Sequence, residues 1–195
     1  MILLRRGDKG PQVEMLQLAL LRAGYNIKGR NKGIDGVFGE STYLAVREFQ
    51  RDNGLTVDGV VGAATWKKLL PYITGFLRYR IESGDTFYKI SRRYGTSSQA
   101  ISVANPNISP NNLPIGAIIN VPLGFYNGEN TVTYGEISYT WELMSLFTEG
   151  IVARYPFLNS FNIGRSELGR GLYCISFGQG NTEVMYNASH HANEW

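Results

Sequence analysis

Both histidines of the chain, His190 and His191, stand near its end. Glu194 follows His191 at the spacing H-x-x-E, directly after Val184-Met185-Tyr186-Asn187, which reads as a strand. A neutral imidazole and a carboxylate are good zinc ligands, and a turn after a strand can aim both at one point. The spacing alone is weak, because ordinary glutamate usage places Glu three residues after a random His in roughly 6% of cases. A catalytic zinc needs three protein ligands and an open position for water. With no histidine outside 190–191, His191 and Glu194 form half a site, and two ligands from one turn bind zinc poorly.

The elements that must position such a pair lie upstream. Tyr139 to Tyr155 carries apolar residues at Trp141, Met144, Leu146, Phe147, Ile151 and Val152, an amphipathic helix stopped before Pro156. Phe161-Asn162-Ile163 and Leu172-Tyr173-Cys174-Ile175 read as strands, separated by a loop rich in Gly and Arg. Further upstream, Asp35-Gly36-Val37-Phe38-Gly39-Glu40-Ser41-Thr42 recurs as Asp58-Gly59-Val60-Val61-Gly62-Ala63-Ala64-Thr65. Each copy is a turn leading into a helix. Thr42, Ala45, Val46 and Phe49 then share one helical face, as do Thr65, Trp66, Leu69 and Leu70. Val13, Leu16, Leu20 and Ala23 form a third stripe, closed by Gly24. Between these parts, Arg78-Tyr79-Arg80-Ile81 alternates as a strand. Gly84-Asp85-Thr86 can cap a helix through Asp85 or Thr86, and Phe87, Ile90, Ser91 and Tyr94 follow at helical spacing. A second short helix breaks at Ala104-Asn105-Pro106-Asn107-Ile108, and Ile118 to Pro122 reads as a last strand.

Composition sets the outer bounds. Of 195 residues, 43% are hydrophobic and 18% charged, which is globular and not disordered. The net charge of +3 is scattered in pairs, Arg5-Arg6, Lys67-Lys68 and Arg92-Arg93, with no basic stripe, which argues against nucleic acid. Cys174 is the sole cysteine, so no intrachain disulfide forms, and its apolar neighbours predict an inert buried thiol. No apolar run approaches the roughly 18 residues of a membrane span. Ile2-Leu3-Leu4 is far shorter than the roughly 7–15 residues of a signal-peptide core.

Three resemblances follow from these motifs. Gly10-x-x-Val13-x-x-Leu16-Gln17, Asp35-Gly36-x-Phe38-Gly39-x-x-Thr42-x-x-Ala45-Val46-x-x-Phe49-Gln50 and Gly54-Leu55-x-x-Asp58-Gly59-x-x-Gly62-x-x-Thr65-Trp66 resemble the peptidoglycan-binding three-helix domain of bacterial wall hydrolases. Gly84-Asp85-Thr86-Phe87-x-x-Ile90, Ala104-Asn105-Pro106 and Leu113-x-x-Gly116-x-x-Ile119-x-Val121-Pro122 resemble a LysM domain of strand-helix-helix-strand order. That likeness implies a glycan site at Gly84, Asp85, Thr86, Phe87, Asn107 and Ile108. There, turn backbone would meet acetamides and apolar side chains would stack on N-acetylglucosamine faces. Finally, Ile163-Gly164-x-Ser166-x-x-Gly169-Arg170 and His191-Ala192-Asn193-Glu194-Trp195 resemble the start of the zinc carboxypeptidase family. Members that cut γ-D-glutamyl-L-diamino acid bonds of wall stem peptides are the nearest in kind.

The expected organisation is therefore a peptidoglycan-binding three-helix domain at 1–73, a βααβ LysM domain at 76–123 and a truncated α/β zinc carboxypeptidase-like segment at 130–195. The resemblance implies zinc held by His191 and Glu194, with Arg170 as a substrate contact. It also places the third ligand, a substrate-carboxylate arginine and the general-base glutamate beyond these 195 residues. The implied function is wall binding with zinc-dependent hydrolysis of stem peptides by the parent protein; the alternative is a non-catalytic peptidoglycan or N-acetylglucosamine binder. Peptidoglycan strands and stem peptides are the expected partners, with neither nucleic acid nor membrane. The absent signal peptide fits the cytoplasm or the developing spore, as in similar enzymes. Half of an open sheet leaves an edge and an apolar face uncovered, so the third segment is expected to self-associate.

Overall fold

The computed structural model describes residues 2–29, 33–124, 138, 140–181 and 184. Helices α1 (Pro11–Arg22), α2 (Glu40–Asp52) and α3 (Ala63–Thr74) surround the larger core. The stripes at Thr42, Ala45, Val46, Phe49 and at Thr65, Trp66, Leu69 are buried. Helix α3 continues past the expected Leu70, through Pro71, and adds Ile73 to the core. Helix α1 differs from a one-sided stripe: Leu18 and Ala19 are buried along with Val13, Leu16 and Leu20. It is the central helix, packed against both α2 and α3.

The sequence echo has a structural cause. Gln17 on α1 is buried and its amide N–H donates to Asp35 Oδ1 at 2.8 Å, the Val37 carbonyl at 3.1 Å and Thr42 Oγ1 at 3.1 Å. Its carbonyl accepts from the Asp35 and Gly36 N–H groups, both at 3.0 Å. Gln50 on α2 repeats the device one helix later, bonding Asp58 Oδ1 at 2.8 Å, the Val60 carbonyl at 2.9 Å and Thr65 Oγ1 at 3.3 Å. The Gly59 N–H donates to its oxygen at 2.9 Å. Gly36 and Gly59 sit at φ 68° and 71°, a left-handed backbone that L side chains rarely adopt. A glutamine of each helix thus grips the turn that starts the next, which satisfies the buried Gly36 and Gly59 N–H groups that would otherwise be orphaned.

Strand β1 (Phe76–Arg80) follows α3 after one residue, Gly75. Helices α4 (Phe87–Arg93) and α5 (Ser98–Ala104) intervene before β2 (Ile118–Pro122). The strands pair antiparallel, Phe76 opposite Pro122 and Arg80 opposite Ile118. Tyr79, Ile81, Phe87, Ile90, Ile101, Ile119 and Val121 form a second core. Thr86 and Ser97 cap the helices, accepting the Lys89 and Ala100 N–H groups. Asn105 is buried and clamps the end of α5 to β2: its amide donates to the Ile101 and Asn120 carbonyls, and its oxygen accepts the Asn120 N–H.

Helix α6 (Trp141–Arg154) is capped by Thr140, and β3 (Asn159–Arg165) pairs antiparallel with β4 (Gly171–Ser176). The two predicted strands of this region are both present. Every residue of β3 is exposed, however, so among the described residues no layer covers β3, while β4 is partly covered by the start of α6 through Tyr173. Cys174 is accordingly half-buried, where a buried thiol was expected. Val184 is not in a strand, and the rest of the predicted third strand lies outside the described residues. A helical domain followed by a small α/β domain is the observed architecture; a truncated carboxypeptidase-like sheet is not shown.

Candidate functional site

The turn after β1 is built on Asp85. Its Oδ2 accepts the Glu82 N–H and the Tyr79 hydroxyl, both at 2.8 Å. The Arg93 guanidinium donates to the same hydroxyl at 3.0 Å and lies 5.8 Å from the Tyr79 ring centre. Burial, and then the bond to Asp85, push the Tyr79 hydroxyl above its usual pKa, so it stays a donor to the carboxylate. The helix cap expected from Asp85 or Thr86 is Thr86, which leaves Asp85 to close the turn. Lys89 Nζ donates to the Gly84 carbonyl at 2.8 Å, which anchors the turn from the helix side.

Backbone bonds stitch this turn to the loop before β2. The Ile81 N–H donates to the Ala117 carbonyl at 2.9 Å, and the Gly116 N–H donates to the Ile81 carbonyl at 2.8 Å. Arg80 adds a bond to the Gly116 carbonyl at 2.9 Å. Asn107 is exposed, and the Ile108 N–H closes a turn onto the Asn105 carbonyl at 3.0 Å. Ile108 packs against the same core that holds Phe87.

The six sequence-derived glycan residues thus divide. Gly84, Thr86 and Asn107 are exposed, while Asp85 and Ile108 are half-buried. Phe87 is 3% exposed, so its ring is a core side chain and only its backbone borders the turn. Sequence reasoning missed Tyr88, whose ring is 68% exposed. The signal was available: if Phe87, Ile90 and Ser91 face inward, position 88 faces out. Ile115, 72% exposed in the loop stitched to the turn, is a second apolar group on this rim.

In the third segment, Arg170 NH2 lies 3.8 Å from Glu142 Oε1, with both side chains about half exposed. Arg165 is tied to its own loop, donating to the Gly169 carbonyl at 2.8 Å. His191 and Glu194 lie outside the described residues. Among the described residues, no group of three or more His, Cys, Asp or Glu side chains could hold a metal ion. No described helix is long and apolar enough to cross a membrane.

Comparison with known proteins agrees with the two compact units. Residues 9–69 match the peptidoglycan binding domain family, and residues 79–122 match the LysM domain family. A spore cortex-lytic enzyme of Bacillus subtilis (strain 168) is 40% identical over 100 residues, which are 48% of this chain and 32% of that protein. A zinc D-Ala-D-Ala carboxypeptidase of Streptomyces albus G is 42% identical over 66 residues, 34% of this chain and 25% of that protein. The crystal structure of the SleB N-terminal domain is 40% identical, covering 35% of this chain and 89% of that one, at a TM-score of 0.33. The chain carries both domains and is homologous to these proteins over the aligned residues. It spans about a third or less of the two curated relatives' lengths.

Proposed function

We propose that this chain binds bacterial peptidoglycan through both domains and is the wall-recognition part of a protein that hydrolyses stem peptides. The presence of two domains of wall-binding families, each with a buried core, carries this reading. In the LysM domain the glycan site comprises the turn 84–86, the backbone at Phe87, and Asn107 with Ile108. Tyr88 joins them as the exposed ring able to stack on a sugar face. Purified peptidoglycan should pull the chain down, and soluble N-acetylglucosamine oligomers should compete. Loss of Tyr88 should weaken oligomer binding without changing stability. Failure of purified peptidoglycan to retain the chain would sink the proposal.

The hydrolytic part rests on His191 and Glu194 as zinc ligands and Arg170 as a substrate contact, cleaving between D-glutamate and the diamino acid. Its test is zinc-dependent release of diamino-acid peptides by the parent protein. Binding without release would favour the second reading, a non-catalytic peptidoglycan binder. What supports that second reading is the histidine count: both histidines are adjacent, so these 195 residues lack the distant third ligand. The uncovered hairpin supports self-association, to be read by sedimentation of the chain with and without Phe161→Ser.

A further inference from the structure

Helix α6 was read from the sequence as part of the third segment, yet its contacts divide between all three parts of the molecule: its side chains meet the hairpin and the three-helix domain, and its last carbonyls meet the LysM domain. At 100° per residue, positions 141 and 145 lie roughly 160° around the helix from 143, 147, 150 and 154. On one face, Trp141 Nε1 donates to the Gly171 carbonyl at 3.0 Å and its ring stacks on Tyr173, while Ser145 Oγ meets the Tyr173 hydroxyl at 3.2 Å. On the other face, Leu143 and Phe147 are buried in the core of the three-helix domain.

The C-terminal half of α6 sits at the joint between the two binding domains. Gly150 lies against Thr74, the last residue of α3, so closely that an added Cβ would come within 2.9 Å of Thr74 Cβ. Arg154 donates to the Thr74 carbonyl at 2.7 Å, where a cation also suits the negative end of α3. From the LysM side, the Asn120 amide donates to the Ala153 and Arg154 carbonyls at 3.0 and 3.2 Å, capping the end of α6. The domains are joined by Gly75 alone, and the Leu123 N–H closes back onto the Gly75 carbonyl at 2.9 Å. Both ends of the joint are thus held by the same helix turn.

We propose that α6 is a two-faced brace that locks the peptidoglycan-binding domain, the LysM domain and the β3–β4 hairpin into one body. Asn120, Gly150 and Arg154 are its positioning residues. The two domains then meet the wall at one fixed mutual orientation, not as independently tethered modules. A fixed orientation removes the ordering cost of engaging two sites together, so it raises affinity for polymer and leaves affinity for a short oligomer alone. This consequence rests on the reading that both domains bind wall; the brace itself does not.

The test uses the 195-residue chain. In ¹⁵N relaxation without ligand, amides of α1–α3 and of β1–β2 should report one rotational correlation time. Gly150→Leu, and separately Asn120→Asp, which removes the donor and puts an anion at the helix end, should split it into two. Binding to purified sacculi should then fall about tenfold, while binding of an N-acetylglucosamine tetramer should change less than twofold. Arg154→Ala should behave like these variants, and Arg154→Lys, which keeps a cationic donor, should restore most of the sacculus affinity. Separate correlation times in the unaltered chain would overturn the brace. So would a single correlation time that survives Asn120→Asp and Gly150→Leu in folded protein. If the unaltered chain tumbles as one body and does not bind sacculi, the brace stands and the wall-binding reading falls.

Discussion

Trp66 and Phe161 are both large aromatic residues in regular elements, yet Trp66 is 1% exposed and Phe161 is 51% exposed. Trp66 lies on α3 among three helices, and its indole N–H reaches the Ile2 carbonyl at 2.7 Å. Phe161 lies on β3, whose partner strand covers its edge but not its faces. The contrast shows what a second layer supplies. A helix stripe in the first domain meets two other helices, whereas the main contact of the hairpin among the described residues is with the start of α6. Paired backbone without a covering layer gives little stability, and isolated two-stranded hairpins are marginal in water.

The sharpest way to break this comparison is truncation at the two aromatic sites. Trp66→Ala should cost about 3–5 kcal/mol of the first domain's stability, while Phe161→Ala should cost less than about 0.5 kcal/mol. Equal losses in denaturant unfolding would mean the hairpin is as well packed as the helices. Next in size is Gln17→Ala, which strands the buried Gly36 N–H and the partly buried Asp35 N–H and should destabilise by about 2–3 kcal/mol. Gln50→Ala strands one such N–H and should cost less, so the two clamps can be ranked by chemical denaturation. In the LysM domain, loss of the α4 cap by Thr86→Ala should cost about 1 kcal/mol. Tyr88→Ala should leave the melting temperature unchanged and lower oligosaccharide affinity several-fold, as read by calorimetry.

The smallest effects are pH-dependent and fall in the first domain. The Val60 N–H, and then the Gln50 amide, hold the Asp58 carboxyl below its usual pKa. Its contribution is present above the ordinary carboxylate range and is lost as pH falls through the lowered value. Asp58→Asn should flatten that part of the acid unfolding curve. At the other extreme, burial and the bond to Asp52 push the Tyr25 hydroxyl up to about 12. Its contribution is complete below the ordinary value near 10 and disappears as pH rises through about 12. Tyr25→Phe should remove that alkaline dependence in a stability titration.

Local patterns carried much of the architecture. Helical spacing located α1 to α3, the cap at Thr86 and the stop at Pro156 bracket α4 and α6, alternation found β1, and 118–122, 161–163 and 172–175 read as β2 to β4. Those features depend on neighbours within a few residues, so the chain states them directly. The candidate glycan turn was legible to the same extent: its glycine, cap and break residues are local signals. Its side-chain roles were not. Phe87 turns inward because Ile101, Ile119 and Val121 close a core around it, and Tyr88 is outward as the complement of that choice.

What needed the tertiary structure is whatever joins residues distant in sequence. Gln17 and Gln50 stand in the sequence motif as polar positions on apolar helices, and only the approach of turns 19 and 9 residues away shows them as buried clamps. Helix α6 has an apolar pattern that identifies it as a helix, but not the partners of its two faces. Leu143 and Phe147 enter the first core, across more than 65 residues of chain from Thr74, because packing free energy depends on which surfaces meet and not on their order in the chain. Sequence by itself therefore determined the elements and the two domain identities. Tertiary packing decided which side chains of the candidate turn are exposed and how the parts are held together.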